Sequence, residues 1–417
     1  MKIGKWARLL LLAAPVLAGC KGFWDAPATG TTGGSTTLTS GIFYVLNQST
    51  AQIAAYSVVT GTLTAVTGSP YTLPAAPYSI AVAPNGAFLY VGTAQGIYLY
   101  TIGTGGTLTL ANSSANVFGD NTPYALTMDT TSSWLLDAST GGGLGGVLYA
   151  IPVSSTTGLP TASATSAVPQ LALNSITAPQ GITVSADNKY ILVALGSNGS
   201  AIVPFTSTNQ TTPMPSAIAK SEVIGVKGSG GASVSVAFDP QLRLFYVGEV
   251  AATTGTYTGG LRAFNYSSLA TIGTTAPTEL TGSPYSSGGL APYSILPTPY
   301  TTGTNAGAYI YVANRTVTAG NTTGNISGFA LTTTGTSTYS LTALSTTATT
   351  GALPTSLAQD STGAFIFVAD SGAGTAAGNP DLEGYNFDST TASKLDSVIS
   401  STTGTDPVGA IAVVALP

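Results

Sequence analysis

The sequence predicts an all-β fold, a seven-bladed β-propeller, and three observations carry that expectation. One phrase recurs along the chain: a proline or small residue, two small or aromatic residues, an apolar strand, a turn, then an aromatic-rich strand. Its copies start roughly 46 to 62 residues apart, the spacing of four-stranded blades rather than of shorter helical or leucine-rich repeats. The last copy, Pro407-Val408-Gly409, has no second strand after it, and the missing strand stands near the other end as Ile42-Phe43-Tyr44-Val45. Splitting one blade between the two ends closes a ring and removes exposed sheet edges. A row of β-sandwiches would not explain the split.

In chain order, the first and second strands of the copies begin with Pro77-Tyr78-Ser79-Ile80 and Phe88-Leu89-Tyr90-Val91. Next come Pro123-Tyr124-Ala125-Leu126 with Trp134-Leu135-Leu136, and Pro179-Gln180-Gly181 with Tyr190-Ile191-Leu192-Val193. Ser233-Val234-Ser235 leads to Leu244-Phe245-Tyr246-Val247, and Pro292-Tyr293-Ser294 to Tyr309-Ile310-Tyr311-Val312. Pro354-Thr355-Ser356 leads to Phe365-Ile366-Phe367-Val368. A third strand follows each, as in Gly96-Ile97-Tyr98-Leu99-Tyr100 or Gly260-Leu261-Arg262-Ala263-Phe264, and a weaker fourth such as Leu108-Thr109-Leu110. Short runs of Val, Ile, Tyr, Phe and Thr between turn residues are strand signals. First strands converge on the ring axis, so the residue there must be small: Ser79, Ala125, Gly181, Ser235, Ser294, Ser356 and Gly409 are expected at that point.

The second strands end in Tyr90-Val91-Gly92-Thr93, Tyr246-Val247-Gly248-Glu249 and Tyr311-Val312-Ala313-Asn314. Two further segments, Thr67-Gly68-Ser69-Pro70-Tyr71 and Thr281-Gly282-Ser283-Pro284-Tyr285, repeat each other. With these motifs the chain resembles the lactonase-type propellers, the group with YVTN-like repeats that includes 6-phosphogluconolactonase-like proteins, over about residues 41 to 417. The resemblance implies a seven-bladed propeller and, as an activity, sugar-lactone hydrolysis with His, Arg and Glu side chains in a central cleft. A propeller hosts many unrelated functions, so the fold alone does not choose among them.

Residues 1–20 read as a lipoprotein signal peptide. Lys2, Lys5 and Arg8 precede a short apolar stretch from Leu9 to Leu17, and Leu17-Ala18-Gly19-Cys20 forms a lipobox around the chain's single cysteine. That stretch is about half of the ~20 residues a membrane-spanning helix needs. Lipid on Cys20 is therefore the expected membrane contact. The lipobox resembles bacterial lipoprotein cleavage sites, and with Lys21 rather than Asp after the cysteine that resemblance implies the outer membrane of a cell envelope, on either side. Residues 21–40, with Gly30-Thr31-Thr32-Gly33-Gly34-Ser35, are a flexible Gly/Thr/Ser tether, and 41–417 are the propeller.

Only 6% of residues are charged, against ~25% in a typical soluble domain. Taking Lys2, Lys5 and Arg8 from the 11 basic residues leaves 8 against 16 acidic ones, a net charge of −8. Nucleic acid binding needs a basic stripe, and none is present. The chain holds no histidine, which excludes Ser-His-Asp and Cys-His machinery, His-ligated metals and an imidazole base. No cofactor is expected, and no metal: Asp370, Asp381 and Glu383 offer oxygens of the kind Ca²⁺ takes, but no dense Asp-x-Asp loop accompanies them.

Chemistry is expected at a rim just after each Tyr-Val-like dipeptide: Asn47, Thr93, Ser139, Leu195, Glu249, Asn314 with Arg315, and Asp370, with Tyr78, Tyr124 and Tyr293 nearby. Glu249, Arg315 and Asp370 fall in three consecutive copies, each followed by a long loop (Val250–Gly260, Thr316–Gly324, Ser371–Pro380) of the kind that carries function. In the enzymatic reading Glu249 or Asp370 is the base and Arg315 or Arg262 holds an anion; in the other they are solvated rim residues. Asp187, Asp239 and Asp360 read as turn formers. Tyr71, Tyr285 and Trp134 are candidates for sugar stacking, although strand aromatics usually pack between blades. Two functions follow: an envelope lipoprotein whose propeller is a binding scaffold for protein or glycan, or a sugar-lactone hydrolase.

Overall fold

The computed structural model describes residues 41–417 except 60–61, 120–121, 141–144, 163–167, 210, 252–256, 267–274, 299–307, 318–321, 335–337, 346, 373–380, 389–390, 392 and 402–408. The lipobox with Cys20, the tether at 21–40, Pro407-Val408, parts of the loops after Val250 and Thr316 and most of the loop after Ser371 lie outside the described residues.

Seven antiparallel sheets make seven blades. Blade 1 runs from the innermost strand Pro77–Val82 through Phe88–Thr93 and Gly96–Ile102 to Leu108–Leu110. Blade 2 is Thr122–Met128, Trp134–Thr140, Gly146–Pro152 and Gln170–Ala172; blade 3 is Gly181–Val184, Tyr190–Ala194, Ser200–Pro204 and Val223–Ile224. Blade 4 is Ala232–Phe238, Leu244–Val250, Gly260–Asn265 and Thr278–Glu279. Blade 5 is Pro292–Pro297, Ala308–Asn314, Thr323–Thr334 and Thr338–Ala343, with Ala348–Ala352 also on the third strand. Blade 6 is Pro354–Gln359, Phe365–Asp370, Leu382–Phe387 and Leu395–Ser400.

Blade 7 is split. Its innermost strand, Ala410–Ala415, pairs with Gly41–Asn47 in the register Phe43↔Ala415, Val45↔Val413 and Leu46↔Ala412, and Gln52–Val59 follows outward. Here the sequence alignment needs correcting by three residues. Ala412, opposite Leu46, occupies the place that Ser79 holds opposite Gly92, so Ala412 rather than Gly409 is the small residue of this blade. The small-residue rule survives the shift, because alanine satisfies it.

The core is distributed over the blade interfaces. Phe88, Tyr90 and Leu99 of blade 1 pack on Leu126, Leu135 and Tyr149 of blade 2, and Phe43 and Val45 of blade 7 on Phe367 and Ala369 of blade 6. The tyrosine of the Tyr-Val dipeptide has a specific task there. Tyr44, Tyr90 and Tyr311 are fully buried, and each hydroxyl donates to a carbonyl of the following blade: Gly106 (3.0 Å), Gly158 (2.6 Å) and Ser393 (2.9 Å). A buried phenol needs such a partner.

The glycine of Tyr-Val-Gly is explained by the axis. Ser79 Oγ donates to Pro123 O (2.7 Å) and Ser235 Oγ to Pro292 O (2.5 Å), each stitching one innermost strand to the next. A Cβ at Gly92 would stand 2.7 Å from Pro123 O, and one at Gly248 2.5 Å from Pro292 O. Blades 5 and 6 carry Ala313 and Ala369 there, and their serines bond otherwise: Ser294 Oγ accepts from Leu357 N (3.0 Å), and Ser356 Oγ from Val413 N (3.2 Å).

Candidate functional site

The first strand starts and the second strand ends at the same end of each blade, as in Pro77↔Thr93, and the pairing there is irregular. Tyr78 is an extra residue between the pairs Pro77↔Thr93 and Ser79↔Gly92. Tyr124, Val234, Tyr293, Thr355 and Ile411 are extra in the same way in blades 2, 4, 5, 6 and 7. In blade 3 the amides of Gln180 and Gly181 both face Ala194, giving Gln180 that place. A bulge re-aims its side chain. Repeated around a ring, it makes a collar at the axis.

An axial cavity of about 500 Å³ lies inside this collar, lined by Gln48, Ser49, Gln180, Val234, Tyr293, Arg315, Thr355, Ser371, Gly409 and Ile411. That is within the roughly 300–1,000 Å³ of small-ligand sites. Arg315 is the cation among these residues. Its guanidinium sits over the Tyr293 ring, 4.9 Å from the centroid, and Nη2 reaches Ser371 Oγ at 3.4 Å. The backbone holds it by Arg315 N to Ala291 O (2.7 Å). Among the described residues it makes no ion pair, so its charge is available to a ligand. Gln48 is fixed by donating from Nε2 to Pro77 O (2.9 Å), and Thr355 Oγ1 by donating to Ala369 O (3.1 Å).

Of the three candidates singled out in the sequence, only Arg315 lines the cavity. The rim positions Asn47, Thr93, Ser139, Leu195, Glu249, Asn314 and Asp370 are buried rather than solvated. Two of them serve the blade turns: Thr93 Oγ1 donates to Gly96 O (2.9 Å), and Asn314 Nδ2 to Ser287 O (2.6 Å) and Asn325 Oδ1 (2.8 Å).

Glu249 belongs to a buried network. Its Oε1 accepts from Arg262 Nη1 (2.7 Å) and its Oε2 from Lys227 N (3.0 Å) and the Tyr257 hydroxyl. Arg262 also binds Glu279 (Nε to Oε1, 2.9 Å) and Gly225 O (2.7 Å), so it is committed here rather than to a ligand. Burial alone would lower the Arg262 pKa; hydrogen bonds and charge from Glu279 and Glu249 raise it instead. Burial likewise opposes ionisation of Glu279, but hydrogen bonds from Arg262, Lys227 and Ser283 bring its pKa down to about 2.

Asp370 is wholly buried, and neither carboxylate oxygen has a hydrogen-bond partner among the described residues. Burial first, then the charges of Glu383 and Asp381, raise its pKa well above the ordinary range, and the nearby Gly351 amide offsets this only in part. Glu383 Oε2 accepts from Gly351 N (3.0 Å) and Tyr385 Oη (2.7 Å), and Asp381 Oδ2 from Gly409 N (3.0 Å). Among the described residues no group of three acids is placed to hold a metal ion.

Asp239 and Asp360 close turns as expected, accepting from Leu242 N (2.8 Å) and Phe365 N (2.8 Å); Asp187 lies beside one, taking Lys189 N (3.3 Å). Trp134 is fully buried with Nε1 donating to Ser207 O (2.7 Å), so it packs between blades rather than facing a sugar. Tyr71 and Tyr285 brace the two Gly-Ser-Pro turns, donating to Thr67 O and Thr281 O (2.7 Å each); Gly68 and Gly282 stand there at φ of 88° and 91°. The cavity residues Gln48, Gln180, Thr355, Ser371 and Ile411 escaped sequence reasoning. The signal that marks most of the collar is plain in hindsight: it is the residue between each proline and each small residue.

No protein-family model matches the chain, and no curated protein matches it in sequence. Solved structures do match in shape. A candidate 6-phosphogluconolactonase of Bacteroides fragilis is 17% identical with a TM-score of 0.65, over 92% of this chain and 100% of that one. One from Bacteroides uniformis is 15% identical with a TM-score of 0.63, over 90% and 99%. The periplasmic gluconolactonase of Pseudomonas aeruginosa is 15% identical with a TM-score of 0.59, over 91% and 100%. At such identities the likeness is one of architecture, and the chain shares with these proteins the seven-bladed β-propeller fold.

Proposed function

We propose that the propeller is a glycan-binding module of the cell envelope, held by lipid on Cys20 at the outer membrane, whose axial cavity receives a small, hydroxyl-rich anion. The lipobox Leu17-Ala18-Gly19-Cys20 supports the anchor. Blocking lipoprotein signal cleavage with globomycin should accumulate a larger precursor, and an unchanged band would remove the anchor from the proposal.

One observation carries the binding reading. Arg315 stands at the cavity over Tyr293, among neutral donors and acceptors from Gln48, Ser49, Gln180, Thr355 and Ser371. A guanidinium pairs bidentately with a planar carboxylate, and amides and hydroxyls suit sugar hydroxyls. Opening a lactone also needs a group that activates water. The acids Glu249 and Asp370 are buried in blades 4 and 6, and neither lines the cavity. Binding without turnover therefore fits the residues best.

Sugar-lactone hydrolysis is the second reading, favoured by the names of the structural neighbours. The test runs the full chain, in detergent, against a panel of aldonolactones in a pH-stat and against glucuronate by calorimetry. Saturable glucuronate binding that Arg315→Ala weakens at least tenfold, with no lactone turnover above the spontaneous rate, supports the binding module. Lactone turnover that Arg315→Ala abolishes would replace it with the hydrolase.

A further inference from the structure

The collar holds a second feature outside the cavity wall. Tyr78 of blade 1 and Tyr124 of blade 2 occupy bulge positions, are half-buried, and lie with ring centroids 5.2 Å apart. Both bulges lie on innermost strands, which converge on the axis, so the two rings meet there. The pair adjoins the cavity, because the lining residue Gln48 is bonded to Pro77 O, next to Tyr78. Blades 1 and 2 stand across the ring from blade 5, which supplies Arg315 and Tyr293. Unlike the tyrosines of the Tyr-Val dipeptides, these two rings are not sealed in a blade interface. They offer an aromatic platform at one side of the collar, with a cation at the other.

We infer that the site reads the acidic end of a glycan: a terminal uronic acid places its carboxylate on Arg315, and the next sugar ring stacks on Tyr78–Tyr124. The apolar C–H face of a pyranose matches an aromatic face, and tyrosine suits a surface apolar at one end and wet at the other. A carboxylate fits better than a phosphate monoester, since a single guanidinium balances one negative charge and a phosphate carries about −1.5 to −2 at neutral pH. The inference rests on the binding module proposed above and adds the ligand class and its second subsite.

The test compares glucuronate, a disaccharide with a non-reducing glucuronic acid, the corresponding neutral disaccharide and glucose 6-phosphate on the full chain by calorimetry. The acidic disaccharide should bind about tenfold more tightly than glucuronate, and the neutral disaccharide and the phosphate more weakly than it. Tyr78→Ala with Tyr124→Ala should remove that tenfold gain and leave glucuronate affinity within twofold, while the two Tyr→Phe changes keep the gain. Tyr124→Ala alone, expected to lose part of the gain, serves if the double variant does not fold. Glucuronate binding that depends on Arg315, without any gain for the disaccharide or with a gain untouched by the tyrosine variants, overturns the second subsite and spares the module. Equal or tighter binding of glucose 6-phosphate overturns the carboxylate assignment. Absence of Arg315-dependent binding by every probe overturns both.

Discussion

Blades 4 and 6 bury an acid at the same place and answer it in opposite ways. Glu249 and Asp370 each stand two residues past a valine of the second strand, Val247 and Val368. Those valines pair with Arg262 in one blade and Glu383 in the other, so each acid has its third-strand neighbour on the same face. In blade 4 the neighbour is a guanidinium at 2.7 Å, with side chains only 6% and 1% exposed. In blade 6 it is a second carboxylate, and burial together with this like charge raises the Asp370 pKa. The scaffold determines that the position is dry. The residue diagonal to it determines whether the acid meets a cation or a second carboxylate.

The largest effect should come from making blade 4 resemble blade 6. Arg262→Met leaves Glu249 without its cation and Glu279 with Lys227 alone, and breaking a buried pair from one side costs about 3–5 kcal/mol. Urea unfolding at neutral pH measures it; a loss below about 1 kcal/mol would show that water or Lys227 neutralises the acids instead.

Next stands a steric contrast between the same two blades. Blade 6 tolerates Ala369, whereas Gly248→Ala should destabilise by about 1–3 kcal/mol, because its new Cβ meets Pro292 O at 2.5 Å where Ser235 makes its stitch. Equal stability of this variant and the parent chain would mean that the innermost strands can part without cost.

The two blades should also respond to pH with opposite sign. Glu279 has a folded pKa of about 2, below its ordinary value, so its contribution is present above the ordinary glutamate range and is lost as pH falls toward 2. Asp370 and Glu383 have raised folded pKa values, so their contribution is complete below the ordinary carboxylate range and is lost as pH rises through the folded values. Asp370→Asn should therefore flatten the decline of stability between the ordinary carboxylate range and neutrality, by about 1 kcal/mol or more. Urea midpoints from pH 3 to 8 test this, and a variant with the parent's slope would assign the decline elsewhere.

The smallest effect belongs to Lys227, whose side chain is 44% exposed although its Nζ lies 2.9 Å from Glu279. Lys227→Gln should cost no more than about 1 kcal/mol, less at high salt. A larger loss would make Lys227, rather than Arg262, the main neutraliser of blade 4.

Much of the architecture was legible because its signals are local. Tyr90-Val91-Gly92 states a buried phenol, a strand and a close approach within three residues, and the copies recur at blade spacing. The one slip, Gly409 for Ala412, occurred where several small residues in succession fit the same pattern. The candidate site was legible only in part. Arg315 stood out as a charge in a chain nearly free of them, but its partner acids were placed beside it by proximity to the rim. Strand alternation turns Glu249 and Asp370 into the blades, and no composition argument detects which way a strand's last residue faces.

By itself, the sequence determined the number of blades, the splitting of one between the two ends, the small residues at the axis and the aromatic ones between blades. Each of these is a short-range pattern repeated around a ring. Only the tertiary structure decided which charges neutralise one another and which side chains share the cavity. Those outcomes depend on diagonal neighbours across strands and on bulge residues from separate blades, as far apart as Gln48 and Ile411, that meet only once the ring is closed.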